Sequence, residues 1–238
     1  MEKIADWQWY DFEEVGSTND TVKNFCTEAG KKIVVTAQSQ NNGRGRRGRS
    51  WVGLEGNLFM SMALEVPLHE LGQVIFVVTL AMLNSIKKLA PRLDVKLKWP
   101  NDVLVNGCKI SGILLEKASG DYLVIGIGVN IAAYPEIKDI VYKTTSLRQA
   151  GCETDRITFL KTYLREFDDC LAVWRQEGFP PVREQWLSAA AHLGGKIRVN
   201  GEKESKEGIF EGVDNNGMLL LNRNGNVEKI YAGDIFYL

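Results

Sequence analysis

Alternating apolar and polar residues predict several strands in the first half of the chain. In NLFMSMALEV (57–66) large apolar side chains occupy every second position, which predicts a strand with one face in the core. The stretch VKLKWP (95–100) alternates in the same way and places Lys96 and Lys98 on its polar side. A shorter apolar run, IVVTA (33–37), predicts a further strand.

Two tight turns predict an antiparallel meander near the middle of the chain. VLVNGCKISGILLE (103–116) places Asn106-Gly107 between two apolar runs, which is the strongest short signal for a β-hairpin. The residues SGD (119–121) predict a second turn, which leads into YLVIGIGVNI (122–131). Because strands that are joined by tight turns are antiparallel, the sheet cannot be all parallel.

Helical periodicity predicts two helices in the same half. The cap-type residue Ser17 begins the first, which extends over 17–29, and Asp20 stands in the place of a capping-box acid. Residues 68–89 predict a second, largely buried helix. Its longest apolar run, 74–83, is too short to cross a bilayer.

The second half changes from helical to β texture. From residue 156 apolar side chains recur every three or four positions, and a break at 180–181 separates a shorter helix that ends near His192. Short apolar runs between Gly and Asn turns then predict a small β-barrel module, because so short a segment buries little by itself. The predicted domains are residues 1–191 and 192–238.

Composition narrows the class of protein. The chain has 238 residues and a formal net charge of −1, which argues against a protein built mainly to coat nucleic acid. The N-terminal segment lacks the basic and apolar regions of a signal peptide. No C-x-x-C pair occurs, so the cysteines are interpreted as free thiols in a reducing cytosol: Cys26, Cys108, Cys152 and Cys170. These features predict a soluble cytoplasmic protein.

The arginine loop, NNGRGRRGRSW (41–51), concentrates four arginines among three glycines and admits three interpretations. It formally contains the dinucleotide fingerprint G-x-G-x-x-G, but a strand is predicted after it where that fold needs a helix. Arg/Gly-rich nucleic-acid segments are usually disordered tails, whereas this one is internal and short. The third interpretation is a loop that binds a phosphorylated small molecule, because guanidinium groups and glycine N–H groups both bind phosphate oxygens.

The stretch KWPND (98–102) supplies a second basic and polar group at the end of a strand. Its residue Asp102 fits a magnesium site, because Mg²⁺ takes one or two carboxylates together with phosphate oxygens. Lys109 follows on the next strand. A nucleic-acid function gives neither KWPND nor Lys109 a role, whereas a site for a phosphorylated ligand uses both. A lone lysine such as Lys96 is interpreted as surface charge.

Four motifs in this order and spacing closely resemble those of the biotin protein ligases: GRGRRGRSW (43–51), KWPND (98–102), KISGILLE (109–116) and GIGVN (126–130). The likeness extends from about Ser17 to the C-terminus. It implies an α+β fold in which helices flank a mixed, mostly antiparallel sheet, as in the class II aminoacyl-tRNA synthetases. It also implies that the C-terminal module is a small SH3-like β-barrel.

The resemblance implies an ATP-dependent ligase reaction in two steps. The carboxylate of biotin attacks the α-phosphate of MgATP, which gives biotinyl-5′-AMP and pyrophosphate. A lysine of the biotin carboxyl carrier protein of acetyl-CoA carboxylase then takes the biotinyl group and releases AMP. Both nucleophiles belong to the substrates, so the protein has to supply positive charge, backbone donors and alignment.

Site residues carry over from the motifs as implied roles. Lys109 and Arg46 are implied to be catalytic, and Asp102 to bind Mg²⁺. The implied biotin-binding residues are Ser17, Thr18, Asn19, Gln40, Arg44, Gly45, Arg46, Lys109 and Gly112. The implied ATP-binding residues are Arg46, Arg47, Arg49, Trp51, Lys98, Asn101 and Asn130. The stretch 133–146 is expected to order over adenine.

Partners follow from the same resemblance. Only 16 residues precede Ser17, too few for the DNA-binding domain that some members carry, so we expect no specific DNA binding. We also expect no membrane association, and the family's dimers, which pair through sheet edges, allow a homodimer. Two rivals stay open: a lipoate-protein ligase of the same fold, which typically has a different arginine-glycine motif, and a non-catalytic RNA-binding module.

Overall fold

A computed structural model of the chain describes residues 2–26, 32–120, 122–136, 143–201 and 204–238. Among these residues the larger sheet has eight strands: β1 (Glu2–Ile4), β2 (Trp7–Val15), β3 (Lys32–Gln40), β4 (Leu58–Glu65), β5 (Val95–Lys98), β6 (Asp102–Val105), β7 (Cys108–Lys117) and β8 (Tyr122–Val129). They lie in the order β1-β2-β3-β4-β8-β7-β6-β5, and β2 and β3 are parallel while the other neighbours are antiparallel. The predicted mixed, mostly antiparallel sheet is confirmed.

The predicted meander consists of β6, β7 and β8. Asn106 and Gly107 form its first turn with φ values of 50° and 76°, the positive angles that a tight hairpin turn requires. A β-bulge between Val103 and Leu104 shifts the register of β6 by one residue, so that Asp102 lies opposite Gly112, and Gly112 lies opposite Gly128. The motifs KWPND, KISGILLE and GIGVN therefore lie side by side on neighbouring strands. Residue 121, in the second predicted turn, lies outside the described residues.

Helices cover both faces of the sheet, and their bounds are α1 (Thr18–Lys23), α2 (Leu71–Leu89), α3 (Arg156–Glu177) and α4 (Phe179–Ser188). The larger core joins α2, α3 and α4 to one face of the sheet. A smaller cluster packs Val22 of α1 against Ala63 of β4 and Val124 of β8 on the other face. The prediction that only one face of β4 is in the core is therefore wrong, because α1 covers the second face.

Helix α2 is longer than its apolar run suggests. With 19 residues the helix is long and apolar enough to cross a membrane, so its length does not exclude a membrane-spanning role. Burial is the better criterion: 61 % of its most apolar window lies inside the fold, as in the core helix of a globular domain. The predicted buried helix over 68–89 is therefore confirmed, with a 3₁₀ turn at Leu68–Glu70 before α2.

Three predicted helix ends differ from the structure. Helix α1 ends at Lys23, and residues 27–29 of its predicted span lie outside the described residues. Gly178, with a φ of 79°, ends α3, so the break precedes the two prolines, which stand in the first turn of α4. Proline is tolerated there because the N–H groups of a first turn have no partner within the helix. Helix α4 ends at Ser188 and not near His192.

The N-terminal strands β1 and β2 are absent from the sequence predictions. The signal for β2 is the alternation in WQWYDF (7–12), in which Trp7 and Trp9 are buried and Gln8 between them is half-buried. The charged residues of this segment point away from the core. These charged residues interrupt the apolar pattern, so the two-residue periodicity of the strand is difficult to recognise in the sequence.

A second sheet closes the chain with five described strands: β9 (Lys196–Asn200), β10 (Ser205–Val213), β11 (Leu219–Arg223), β12 (Asn226–Ile230) and β13 (Asp234–Tyr237). All its pairs are antiparallel, as the SH3-like prediction requires. The run VEKIYAGDI (227–235) contributes to two strands, β12 and β13, because the chain turns back to pair with β9. The domain division at 191/192 stays a prediction.

Candidate active site

A cavity of about 280 Å³ lies between the meander, the arginine loop and the C-terminal sheet. Every residue that the sequence predicts for the site lines this cavity, except Arg47. The fold thus gathers residues from α1, from the arginine loop and from six strands: β3, β5, β6, β7, β8 and β13. Their individual roles stay predictions.

One end of the cavity is polar but uncharged. The Gln40 side-chain oxygen accepts from the backbone N–H and the hydroxyl of Thr18, at 2.8 and 3.1 Å. Ser61 Oγ lies 2.7 Å from Thr18 Oγ1 and 2.6 Å from Asn19 Oδ1. Ser17, at the start of α1, is buried, and its side chain makes no capping hydrogen bond within the described chain. Ser17 therefore occupies the predicted N-cap position, but the described residues do not use its hydroxyl for capping.

Ser61 is a residue that the sequence interpretation missed. It is fully buried on β4, and its hydroxyl contacts two of the predicted site residues. The signal was present, because a serine interrupts the apolar run LFMSMAL. A buried hydroxyl needs partners, so such a residue marks either a polar network or a ligand site.

Three glycines on β7 and β8 leave part of the cavity wall without side chains, and we call this surface the glycine floor: Gly112, Gly126 and Gly128. A Cβ at Gly128 would lie 2.3 Å from the Trp51 ring, and one at Gly112 would lie 2.9 Å from it. A Cβ at Gly126 would lie 2.1 Å from Asn19 Oδ1. The floor therefore admits the Trp51 indole, whose buried Nε1 has no hydrogen-bond partner among the described residues.

Cations and amides surround the other end. Lys109 Nζ lies 2.6 Å from Asp102 Oδ1 and 5.8 Å from the centre of the Trp51 ring. Although this distance is short, Asp102 Oδ1 has no aligned hydrogen bond within the described residues, so the pair is held by charge attraction. Arg46 donates to Asn101 Oδ1 at 2.9 Å, which fixes one guanidinium group beside the meander.

The C-terminal module contributes a carboxylate that the sequence interpretation missed. Asp234 lies 3.7 Å from Arg46, 3.4 Å from Arg47 and 3.1 Å from Arg49. The neighbouring carbonyl of Gly233 accepts from both terminal nitrogens of Arg46 at 3.4 Å. Three guanidinium groups thus converge on one carboxylate, which leaves an excess of positive charge for an anionic ligand. Arg47 belongs to this cluster, although it does not line the cavity.

Lys98 lies on the side of β5 that the alternation predicts to be polar, but it is buried. Only 3 % of its surface is exposed, and its Nζ lies 5.4 Å from the centre of the Tyr237 ring. Burial lowers the pKa of Lys98 to about 7, although Asp102 acts in the opposite direction. The polar side of β5 faces the cavity and not bulk solvent, which explains the burial.

Arg44 differs from the other loop arginines. Its guanidinium group donates to Asp20 at 2.7 and 2.8 Å and to Glu116 at 2.8 and 2.9 Å. Both contacts are bidentate, the geometry in which arginine binds carboxylates most strongly. The structure therefore gives Arg44 two protein carboxylates as partners, rather than leaving its charge for a ligand.

Asn130 follows the last residue of β8 and contacts the segment after the strand, from which Pro135 and Thr144 line the cavity. Its Nδ2 donates to the carbonyl of Thr145 at 3.1 Å, while its buried Oδ1 has no partner among the described residues. Asn57 holds the same segment, because its side-chain oxygen accepts from three successive N–H groups of residues 131–133. Of the stretch predicted to order over adenine, residues 137–142 lie outside the described residues.

Comparison with known proteins identifies the protein family to which this fold and site belong. A sequence model of the biotin/lipoate A/B protein ligase family matches residues 12–130, and a model of the biotin protein ligase C-terminal domain matches residues 192–238. The first match spans the arginine loop and the meander, and the second spans the five-stranded sheet. The chain belongs to the biotin/lipoate A/B protein ligase family.

Individual relatives narrow the likeness to the biotin branch. The biotin–(acetyl-CoA-carboxylase) ligase of Paracoccus denitrificans is 34 % identical over 93 % of this chain and 97 % of its own length. The biotin protein ligase of Aquifex aeolicus, solved with biotin and ATP, superposes with a TM-score of 0.84 at 27 % identity and covers 98 % of both chains. The Leishmania major biotin protein ligase, solved with biotinyl-5-AMP, gives 0.69 at 27 % identity and covers 94 % of this chain and 99 % of its own.

Proposed function

We propose that the chain is an ATP-dependent ligase. It activates biotin as biotinyl-5′-AMP and transfers the biotinyl group to a lysine of the biotin carboxyl carrier protein of acetyl-CoA carboxylase. One observation carries the proposal: a single cavity joins an uncharged polar end, at Thr18 and Gln40, to a cationic end, at Arg46 and Lys109. A ligand with a polar ring at one end and a carboxylate at the other matches this arrangement.

The uncharged end suits the ureido ring of biotin. A buried ureido group has two N–H donors and one carbonyl acceptor, and each must find a partner. Ser17, Thr18, Asn19 and Gln40 offer hydroxyl and amide groups there, and Ser61 holds two of them in place. The apolar valeryl chain would extend between the two ends of the cavity, past Gly112 and the Trp51 indole that packs on it.

The cationic end performs the first step by bringing together two anions that repel each other. Lys109 and Arg46 lie where a carboxylate oxygen of biotin approaches the α-phosphorus of ATP. The new bond joins that oxygen to phosphorus, and the bond to the pyrophosphate oxygen breaks. Fixed positive charges stabilise this crowded anionic transition state more than they stabilise the separated substrates.

The arginine cluster around Asp234 suits the β- and γ-phosphates. Arg47 and Arg49 already hold one carboxylate between them, and a triphosphate offers more negative charge to the same guanidinium groups. Asn130 completes the nucleotide site in this proposal. Its Oδ1, which has no partner among the described residues, is an acceptor, and the 6-amino group of adenine is a donor.

Mg²⁺ enters this scheme with ATP, and Asp102 is the predicted protein ligand. Within the described part of the chain no three His, Cys, Asp or Glu side chains lie close enough to hold a metal ion by themselves. A single carboxylate fits an ion that takes most of its oxygens from phosphates and water. When bound, the ion neutralises part of the charge on the triphosphate.

ATP binding is expected to take up close to one proton at about pH 8. Above its pKa of about 7 Lys98 is mostly neutral in the free protein, and a bound triphosphate favours the ammonium form. Calorimetric titration with ATP in buffers of different ionisation enthalpy measures the uptake, with the unreactive alcohol analogue of biotin present. At about pH 6 the ammonium group already exists, so the uptake should be small.

The variant Lys98→Arg provides the control for this prediction, because an arginine stays protonated at both pH values. It should bind ATP with little proton uptake at either pH. Equal uptake by the variant and the original protein would show that another group titrates.

The second step uses the carrier protein as the nucleophile. Its lysine amine attacks the carbonyl carbon of the adenylate, the bond to AMP breaks, and the lysine nitrogen loses a proton as the amide forms. We place the reaction in the cytoplasm, where the four free thiols of this chain would persist. A sheet-edge homodimer and the lack of specific DNA binding stay predictions.

Biotin-dependent exchange of radiolabelled pyrophosphate into ATP tests the proposed function. Exchange requires reversible formation of the adenylate, so the purified chain should show it with biotin and not with lipoate. Exchange with lipoate alone would make the chain a lipoate ligase. Exchange with neither acid would show that the chain forms no adenylate with either acid, which would refute the proposed function.

A further inference from the structure

We infer that Glu116 is a positioning residue that fastens the arginine loop over the biotin end of the cavity. This inference rests on the function proposed above. Glu116 lies near the end of β7, at the C-terminal end of the KISGILLE motif, and its carboxylate contacts both the loop and α1. The sequence motifs give it no role.

The contacts of Glu116 link two otherwise separate elements. Its Oε1 accepts from Arg44 Nε at 2.9 Å, and its Oε2 accepts from Arg44 at 2.8 Å and from Asn19 Nδ2 at 3.1 Å. Lys23 lies 3.2 Å from the same carboxylate and 3.3 Å from Asp20. Asp20 in turn holds the far side of the Arg44 guanidinium group.

These five side chains form a network that we call the latch: Asn19, Asp20, Lys23, Arg44 and Glu116. Within the latch Glu116 is the most buried charge, with 23 % of its side chain exposed against 58 % for Asp20. Burial opposes its charge, yet hydrogen bonds from Arg44, Asn19 and Lys23 together keep the pKa of this carboxyl below its usual value. Glu116 is therefore an anion at neutral pH and the centre of the network.

The latch acts on biotin through two of its members. Asn19 and Arg44 both line the cavity, whereas Glu116 does not. Glu116 thus fixes the amide of Asn19 at the polar end and the first arginine of the loop in one step. Loss of its charge leaves Arg44 with Asp20 alone, whose carboxylate is mostly exposed and screened by salt. The loop then opens more often, and biotin escapes faster.

The variant Glu116→Gln tests this inference in the biotin-dependent exchange reaction. It should raise the KM for biotin roughly tenfold, because a partly buried, charge-assisted contact is lost. The kcat should change much less, because Lys109 and Arg46 are untouched. The matched control is Glu166→Gln, since Glu166 is also a partly buried carboxylate, paired with Lys88 away from the cavity.

A double-mutant cycle separates the latch from a general loss of structure. If Glu116 acts through Arg44, then Glu116→Gln has little further effect on the KM for biotin in an Arg44→Gln background. Fully additive effects, an unchanged KM in the single variant, or a fall in kcat alone would each overturn the inference. If the original protein shows no exchange at all, the proposed function fails instead.

A measurement on the original protein keeps the test decisive if the variant does not fold. Biotinamide has no carboxylate, so the salt dependence of its binding reports on the latch and not on the cationic end. Its affinity should fall severalfold between about 50 mM and about 500 mM NaCl, as the partly exposed ion pairs are screened. Binding that is independent of salt would overturn the inference.

Discussion

The variant Lys109→Ala is expected to lose about a hundredfold to a thousandfold in the kcat of biotin-dependent pyrophosphate exchange. Lys109 supplies a cation at the cationic end of the cavity, 2.6 Å from Asp102, and the first step creates its greatest negative charge there. Removal of the ammonium group also leaves the Asp102 carboxylate without this partner, which repels the incoming phosphates further. The KM for biotin should rise less than kcat falls, because the contact strengthens in the transition state.

The control for this prediction is Lys117→Ala, because Lys117 lies on the same strand and is exposed. It should retain normal exchange. The melting temperature of Lys109→Ala should move by only a few degrees, since one partly exposed ion pair is lost. If the Lys109→Ala protein folds and its exchange rate is within threefold of the original, Lys109 is not a catalytic residue.

The variant Gly128→Ala is expected to reduce kcat/KM about tenfold to a hundredfold with little loss of stability. The new methyl group would lie 2.3 Å from the Trp51 ring, so the indole has to leave the glycine floor. Trp51 belongs to the loop and not to either apolar core, so its displacement disturbs the site far more than the fold. Steady-state exchange kinetics and thermal melting measure the two effects.

Two further variants test the steric cause. Gly16→Ala is the matched control, because a Cβ there meets its nearest atom at 3.8 Å and should cost nothing measurable. In a Trp51→Ala background the Gly128→Ala change should add little, since the clashing ring is gone. A further tenfold loss in that background would mean that the methyl group blocks a substrate directly.

Local sequence predicted the central part of the site well, and the hairpin shows why. The Asn106-Gly107 turn fixes the register of β6 against β7 close to the turn, so the pairing of Leu104 with Lys109 follows from a local signal. A β-bulge between Val103 and Leu104, which the turn signal does not predict, then shifts the register and places Asp102 opposite Gly112. Alternation along β5 correctly separated Lys98 from the apolar side. It failed to predict that the polar side faces a cavity, because burial depends on elements that are remote in the sequence.

The contacts that hold the arginine loop were not predictable in this way. Glu116 stands near the end of a strand, where an exposed carboxylate is ordinary, and nothing nearby indicates that α1 and the loop converge on it. Asp234 lies 185 residues from Arg49, and their contact depends on how the two sheets pack together. Neither a periodicity nor a turn signal carries such information.

The contact between Asp234 and the arginines has a consequence for protein engineering. A chimera could take its last 47 residues from a distant relative. Even if the grafted barrel folded well, it would need an acidic residue at position 234 to hold the arginine loop in place. The single substitution Asp234→Ala would remove this carboxylate and leave the rest of the chain unchanged. We expect selection to act on the arginine loop and on position 234 as one unit.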